Sequence, residues 1–520
     1  MRAQIYNSSQ PKSKTHDKVY QIHKYWSRKP WDPISSHILT YTDTGDTVLD
    51  PFMGSGVTAL ESLLNNRKYV GIDLNPVSVF IASNTINNTV DIGRLKEEFS
   101  QLTNIVEEKI LNLYKTNEQC GKCSNYMILQ HSNIGPKFKD SEKGYFFCNA
   151  CGKRKSSIKR CFSKKERNWI LNSEFEVGSY WIPDQKFPDK FYKDRFSYKG
   201  IQRVSDMYTN RNLYALSLLL DTIKQLKLEY EGLFLTAFSN TVLHSSKLKS
   251  ENVRPLGVNN YWVPDDYIEE NVWLRYVDRF QKIINAKKEL LKLNGPHPLK
   301  NYKLLNQSCF KTDLKDGSID YIITDPPYGD AIQYSELSFI WNAWLGFQYN
   351  NEEEVIVNPA QSKGTDQFTE LLSRAVSESA RVIKKGGFFT LCFHNKNFKI
   401  WSDVLNIFRQ YNFVLHEIFI VDGLGSTFNN NWSKFSPKTD LYLTFKKDIF
   451  QFQYEKTISL EDIIKQVLKE EKSIENYAKI YDKVIIQLIE NLYFNKCQID
   501  LSHLTIKKLS SIIENIQHGN

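Results

Sequence analysis

Apolar residues fall into two blocks, one near the N-terminus and one after residue 300, in which short continuous apolar runs alternate with helix-period stretches. TVLD (47–50) reads as a buried strand, GVTALESLLNN as an amphipathic helix and KYVGID (68–73) as a second strand. PVSVFIASNTINN follows as a helix opening on proline, whose fixed φ and missing N–H suit the first helical position. Past residue 300 come YKLLN, SIDYIIT (318–324), a helical stretch around 333–346, and TELLSRAVSESARVIKKGG, a helix that its two glycines should stop. GFFTLCFH, FVLHEIFIV and DLYLTFKK read as further strands, with WSDVLNIFRQYN a helix between the first two. Strands alternating with helices predict an α/β fold with a doubly wound, mostly parallel sheet and ligands at its carboxyl edge. Between the blocks lie about two hundred residues that do not fit the sheet. The last 70 or so carry apolar residues at helical spacing, predicting a helical extension that packs on the body or meets a partner.

Composition narrows the class. A chain of 520 residues has room for two to four domains and a substantial core. Its start, MRAQIYNSSQPKSK, has no apolar h-region, and no apolar run approaches the roughly 20 residues that cross a bilayer, so the expectation is a soluble, cytoplasmic protein with no membrane partner. The net charge of +9 is modest but concentrated: residues 153–167 hold eight basic residues against one acid. Spread along a loop or helix they would neutralise phosphates; otherwise they are a solvated surface.

Eight cysteines are few for this length, and four form two CxxC pairs, Cys120 with Cys123 and Cys148 with Cys151, separated by 24 residues. In a reducing compartment that spacing predicts a tetrahedral zinc ribbon. Four thiolates leave no open position, so the zinc would be structural. Cys161, Cys309, Cys392 and Cys497 are expected to be buried apolar residues.

Gly54 and Gly56 stand directly after the strand ending in Asp50, where they permit a tight turn and close backbone approach of a ligand to a helix N-terminus. Asp73 ends the next strand, a place from which an acid accepts hydrogen bonds from ribose hydroxyls. The spacing is not that of a dinucleotide fingerprint, which favours a nucleoside without a pyrophosphate.

DPFMGSGVTALES (50–62) followed by GIDLNP resembles the S-adenosylmethionine motif of the DNA amino-methyltransferases, and TDPPYGD (324–330) resembles their catalytic (D/N/S)PP(Y/F) motif. HKYWSRKPWDPISSHI (23–38) is similar to the segment that covers the methionine end of the cofactor, which nominates Lys29 and Pro30. Stretches within 20–90 and 301–445 resemble a prokaryotic group of adenine-specific DNA methylases. The resemblance implies a Rossmann-like, S-adenosylmethionine-dependent methyltransferase fold. In it Asp50, Phe52, Gly54 and Gly56 form the cofactor loop, Asp73 holds the ribose, and Asn75 and Pro76 flank the adenine. The motif order implies a target-recognition region between the motifs; the resemblance implies double-stranded DNA as substrate and leaves open a restriction or phage-defence protein as a further partner. One departure stands out: Asn306 and Ser308 lie where relatives often carry an acid.

The second motif suits its chemistry. An exocyclic amine on a base is a poor nucleophile because its lone pair is delocalised, so catalysis must position it and localise that pair. Asp325 and the Pro326 carbonyl are acceptors for the two amino hydrogens, Pro327 stiffens the loop, and Tyr328 offers a π face for an extruded base. His394 either touches that base or is structural, and HSSKLKSENVRPLGVNNYWVP resembles a DNA-side loop of that methylase group, which makes Lys247, Lys249 and Arg254 weaker DNA-contact candidates.

The division expected is a cofactor-binding half (1–117), a zinc ribbon (118–162), a mostly helical recognition insertion (163–300), a catalytic half (301–448) and a helical extension (449–520). The activity implied is N6-adenine DNA methylation. Cytosine N4 is the runner-up, then an RNA or protein-glutamine methyltransferase, then a non-catalytic nucleic-acid-binding subunit.

Overall fold

The computed structural model describes residues 4–7, 17–135, 143–151, 157–172, 178, 180–255, 260–421, 439–448, 456–470, 477–493, 497–498 and 511–512. Its centre is an eight-stranded mixed sheet. In chain order the strands are β1 (Gln4–Asn7), β2 (Thr47–Asp50), β3 (Lys68–Asp73), β9 (Tyr302–Asn306), β10 (Ile319–Thr324), β11 (Ile383–Phe393), β12 (Phe413–Val421) and β13 (Asp440–Lys447). A separate antiparallel sheet holds β4 (Lys115–Gln119), β5 (Tyr126–Ile134), β6 (Lys143–Phe147) and β7 (Ile158–Cys161), and β8 (Tyr267–Glu270) pairs with its β5.

The large sheet runs β1-β12-β13-β11-β10-β2-β3-β9, with β13 antiparallel to both neighbours and the other pairs parallel. Leaving β1 aside, the remaining strands renumbered along the chain stand in the order 3-2-1-4-5-7-6. This is the doubly wound, Rossmann-like arrangement of the methyltransferase fold. The order reverses between β2 and β10, and that switch point opens a crevice at the strands' carboxyl ends. Central strands are buried on both faces and read as apolar runs for that reason. Sequence periodicity did not anticipate β1, a four-residue edge strand without an apolar pattern.

Helices α1 (Trp31–Tyr41), α2 (Val57–Leu64) and α3 (Pro76–Ile86) belong to the first block. Between the two blocks come α4 (Ile92–Leu113), α5 (Lys164–Asn172), α6 (Asn210–Gln225), α7 (Glu231–His244) and α8 (Val272–Asn294). The second block supplies α9 (Tyr334–Leu345), α10 (Thr365–Val382) and α11 (Phe398–Gln410). Finally, α12 (Leu460–Glu470) and α13 (Tyr477–Tyr493) form the C-terminal extension. It packs on the body: the Tyr493 hydroxyl donates to the Leu405 carbonyl at 2.8 Å, and Leu488 and Ile489 are fully buried.

The two-glycine stop after α10 is not what ends that helix. It ends at Val382, and β11 starts at once with Ile383, taking both glycines into the strand. Gly386 has φ +79°, and a Cβ on Gly387 would sit 2.9 Å from Ile383 Cγ1 and 3.0 Å from the Asp320 carbonyl oxygen. The pair therefore serves a bulge, where the β10–β11 register shifts between Ile319 and Tyr321.

Candidate active site

At the switch point the turn after β2 is set by its glycines. Gly54 and Gly56 have φ +54° and +82°, and a Cβ on Gly56 would lie 2.8 Å from that of Ala82, so the turn packs directly on α3. The Asp73 carboxylate organises the turn, accepting from the Gly54 N–H at 2.8 Å and the Asn75 N–H at 2.9 Å. Burial nevertheless pushes its pKa up to about 7. Buried Asp50 accepts from the Phe52 N–H at 3.1 Å and from the Thr324 hydroxyl at 2.7 Å, and burial raises it to about 6. The second of these bonds joins the two motifs, since Thr324 immediately precedes Asp325.

A segment from residue 17 to residue 30 covers the crevice. Arg28 fastens it, donating to the Tyr20 carbonyl, to the His23 carbonyl at 2.8 Å and to the Ser55 hydroxyl of the glycine turn at 3.0 Å. Tyr25 would be 3.3 Å from a Cβ on Gly54, and its ring stacks 5.9 Å from that of Tyr334. Beneath, His23 is buried against Trp341 and bonded to the Ser239 hydroxyl at 2.9 Å; burial lowers its pKa to about 3 and keeps it neutral.

The DPPY loop leaves β10 beside this cover. Lys29 Nζ is 2.6 Å from Asp440 Oδ2 and 3.5 Å from Asp325 Oδ1, and lies 4.8 Å from the centre of the Tyr328 ring. Asp440 Oδ1 is 2.8 Å from His394 Nδ1. The Tyr328 hydroxyl donates to Asp325, its ring is 4.4 Å from that of His394, and its carbonyl accepts from the Asn395 side chain at 2.9 Å. Burial raises the Asp325 carboxyl to about 6 against the pull of Lys29. Burial would also raise Asp440, but Lys29 and His394 hold it well below the usual carboxylate range, and the two carboxylates keep Lys29 charged.

Of the residues nominated from sequence, Lys29, Asp50, Phe52, Gly54, Asp73, Asn75, Asp325 and Pro327 line one cleft. Gly56 lies beneath it against α3, Pro30 caps α1, and Pro76 is the first residue of α3. The Asn75 side chain is spent on structure: it caps α3 through the Val77 N–H at 3.3 Å and bonds to Ser338 at 2.8 Å and Asn342 at 3.1 Å. Asn306 donates to the Asp73 and Leu74 carbonyls, both at 3.0 Å, bracing the strand end that carries the acid, while Ser308 lines the cleft. Lys29 stands between the Asp325 and Asp440 carboxylates. Sequence reasoning passed over Asp440, Asn395, Tyr25, Tyr334, Tyr349 and Glu354; the one signal was an acid heading the apolar strand LYLTF.

The lining contains Asp50, Asp73, Asp325, Glu353 and Glu354 against Arg28 and Lys29. An acidic, aromatic cleft beside a glycine turn suits a nucleoside bearing a positive charge better than one bearing phosphates.

The four CxxC sulfurs lie within 4.8 Å of one another, with pairs at 3.4, 3.7 and 3.8 Å. Thiolates on a tetrahedral zinc, with Zn–S about 2.3 Å, are about 3.8 Å apart, so the cluster fits that ion. Cys309, Cys392 and Cys497 are buried, but Cys161 is exposed: its strand lies at the margin of the small sheet. Lys247 donates to the Asp206 carbonyl at 2.8 Å and Lys249 pairs with Glu270, so two of the three DNA-side candidates already serve the fold. In the basic run Arg160 forms a bidentate pair with Glu166, both contacts 2.7 Å, over the Phe146 ring. Residues 152–156 of that run lie outside the described residues. No helix among the described residues is long and apolar enough to cross a membrane.

Residues 3–84 match a family model described as DNA methylase. Over 61 residues the chain is 43% identical to the orphan methyltransferase M.BamHII of Bacillus amyloliquefaciens, a match covering 12% of this chain and 23% of that protein. It is 23% identical over 420 residues to the type II methyltransferase M.MjaII of Methanocaldococcus jannaschii, covering 75% of this chain and 73% of the relative. A solved S-adenosylmethionine-dependent methyltransferase from Methanosarcina mazei aligns with 80% of this chain and 98% of its own at 9% identity and a TM-score of 0.26; so loose a superposition carries no weight, and the fold rests on the strand order. The chain is thus similar to the DNA amino-methyltransferases, and the resemblance read from its two motifs is borne out.

Proposed function

We propose that this chain transfers a methyl group from S-adenosylmethionine to the exocyclic N6 amine of an adenine swung out of double-stranded DNA. The observation that carries this is the junction of the two motif loops. They leave neighbouring parallel strands, with Leu49 beside Ile322, and the Thr324–Asp50 hydrogen bond of 2.7 Å ties their roots. S-adenosylmethionine supplies an electrophilic methyl group on a sulfonium.

Asp73 and the backbone of the glycine turn would hold its ribose, with Phe52, Tyr25 and Tyr349 as apolar walls and the acidic lining offsetting its charge. Asp325 and the Pro326 carbonyl accept the amino hydrogens of the base, which keeps the nitrogen lone pair from delocalising into the ring. The bond from the Tyr328 hydroxyl now occupies Asp325 Oδ1, so the arriving amine takes that hydroxyl's place, and the freed ring stacks on the base for about 1–3 kcal/mol. Lys29, fixed by Asp440, stabilises the ionised form of Asp325. Adenine is favoured over cytosine by the aspartate that opens the tetrad and by the resemblance to adenine methylases. Zinc on Cys120, Cys123, Cys148 and Cys151 would cross-link the small sheet and shape the recognition insertion; none of the four lines the cleft.

Methylation-aware sequencing of DNA from cells expressing the chain tests the reading. It predicts N6-methyladenine in a short defined motif; N4-methylcytosine alone would overturn the base assignment and leave the fold untouched.

A further inference from the structure

We propose that the face of α8 bearing the exposed Lys282 and the part-exposed Arg275, with the buried Arg279 between them in sequence, forms together with Lys24 and Arg254 the surface on which the phosphate backbone of duplex DNA docks beside the cofactor cleft. This rests on the reading of the chain as a DNA methyltransferase.

Spacing at i, i+4 and i+7 puts the three α8 cations on one face of that helix. The turn at Lys18–Ile22 packs against α8 and brings Lys24 alongside. The loop ahead of Arg254 is pinned to the same region: the Ile268 N–H donates to the Lys249 carbonyl at 2.7 Å, and the Ser250 N–H to the Val253 carbonyl at 3.0 Å.

Charge is poorly balanced there. Lys24 stands in the field of Arg254, Arg275, Arg279 and Lys282, and Asp278 acts in the opposite sense on Arg275 and Lys282. Glu270 is shared by Lys249 and Arg275, whereas Lys24, Arg254 and Lys282 have no ion pair among the described residues. Burial, and then the neighbouring Arg279, Arg254, Lys282 and Arg275, lower the Lys24 ammonium to about 8. His244, at the end of α7, is buried among the same cations, and its Nδ1 has no hydrogen-bond partner among the described residues. A cluster of cations that repel one another is relieved by anions.

The position suits a backbone phosphate. Lys24 immediately precedes Tyr25, which lines the cofactor cleft, so a strand held on this face passes the place where a base must be delivered.

Anisotropy of a fluorescein-labelled duplex of random sequence, titrated at several sodium chloride concentrations, tests the surface. Arg254 and Lys282 are both exposed, so Arg254→Gln with Lys282→Gln spares the fold, and Lys24→Gln provides a second variant. The slope of log K against log salt should fall by about two units in the double variant, at about 0.9 per lost phosphate contact, with S-adenosylmethionine affinity unaltered. An unchanged slope overturns the proposal. So does competition by inorganic phosphate beyond that of chloride at equal ionic strength if the variants abolish it, since that marks a free-anion pocket. An unaltered protein that binds S-adenosylmethionine but no duplex at any salt sinks the DNA reading itself, and this surface with it.

Discussion

Lys29 Nζ lies 2.6 Å from Asp440 Oδ2 across 411 residues of sequence, and the same ammonium reaches Asp325 at 3.5 Å. The N-terminal cover is thereby latched to the last strand at the point where the proposed acceptor loop begins. Without the lysine, the Asp325 and Asp440 carboxylates would face each other with the Tyr328 hydroxyl on the first and His394 on the second, and no lysine or arginine between them.

The rate should follow the ionisation of Asp325. Its carboxyl must be anionic to accept the amino hydrogens and titrates near 6, so turnover should climb as pH rises through about 6 and then level. In Lys29→Met the anion loses its cation, which moves the limb to higher pH and lowers kcat by about 100-fold. Lys29→Arg should recover part of the rate. A pH profile of kcat at saturating DNA reads both effects.

Asp73 sets function against stability. Its folded pKa of about 7 is above the unfolded value, so it favours folding at low pH, and that contribution is lost as pH rises through 7. Between pH 6 and pH 8 the unliganded protein should lose about 1 kcal/mol that Asp73→Asn does not lose. If the ribose needs the carboxylate, S-adenosylmethionine should bind about tenfold more weakly at pH 6 than at pH 8. Denaturant melts and calorimetric titration at the two pH values check the pair.

Gly56 is held by φ and by space together. Gly56→Ala would force a left-handed alanine and a 2.8 Å Cβ contact with Ala82, costing about 2 kcal/mol or more and weakening cofactor binding as α2 is pushed off α3. Gly317, also at positive φ but with open space around it, should tolerate alanine better, at about 1 kcal/mol. Thermal melts separate the two.

Much of this was legible because the motifs sit where the sheet must place them. Asp50, Asp73 and Asp325 each close or directly follow a short apolar strand, and alternation with helices fixes those strand ends on one edge. The Lys29–Asp440 latch was not legible, because neither residue lies near the other in sequence and only the antiparallel return of β13 beside β11 brings Asp440 back to the cleft. The α10 boundary was misread for a local reason: two glycines resemble a helix stop, but here they serve a bulge. Phe187 and Phe191, in the stretch between the two blocks, are buried against Phe196 and Tyr261, contacts that no sequence period announces.

Zinc should be found at one ion per chain by elemental analysis. Cys123→Ser, or prolonged chelation, should lower the cooperative melt of the insertion and weaken DNA binding while leaving S-adenosylmethionine affinity within about twofold. Loss of cofactor binding on chelation would contradict a structural ion outside the cleft.

The most direct measurement is transfer of tritiated methyl from S-adenosylmethionine to duplex DNA, with the labelled nucleoside identified after digestion. The account predicts label in N6-methyldeoxyadenosine, and its loss in an Asp325→Ala variant that still binds S-adenosylmethionine. A protein that binds the cofactor yet leaves DNA unlabelled, or an Asp325→Ala variant that labels it at the full rate, would contradict the account.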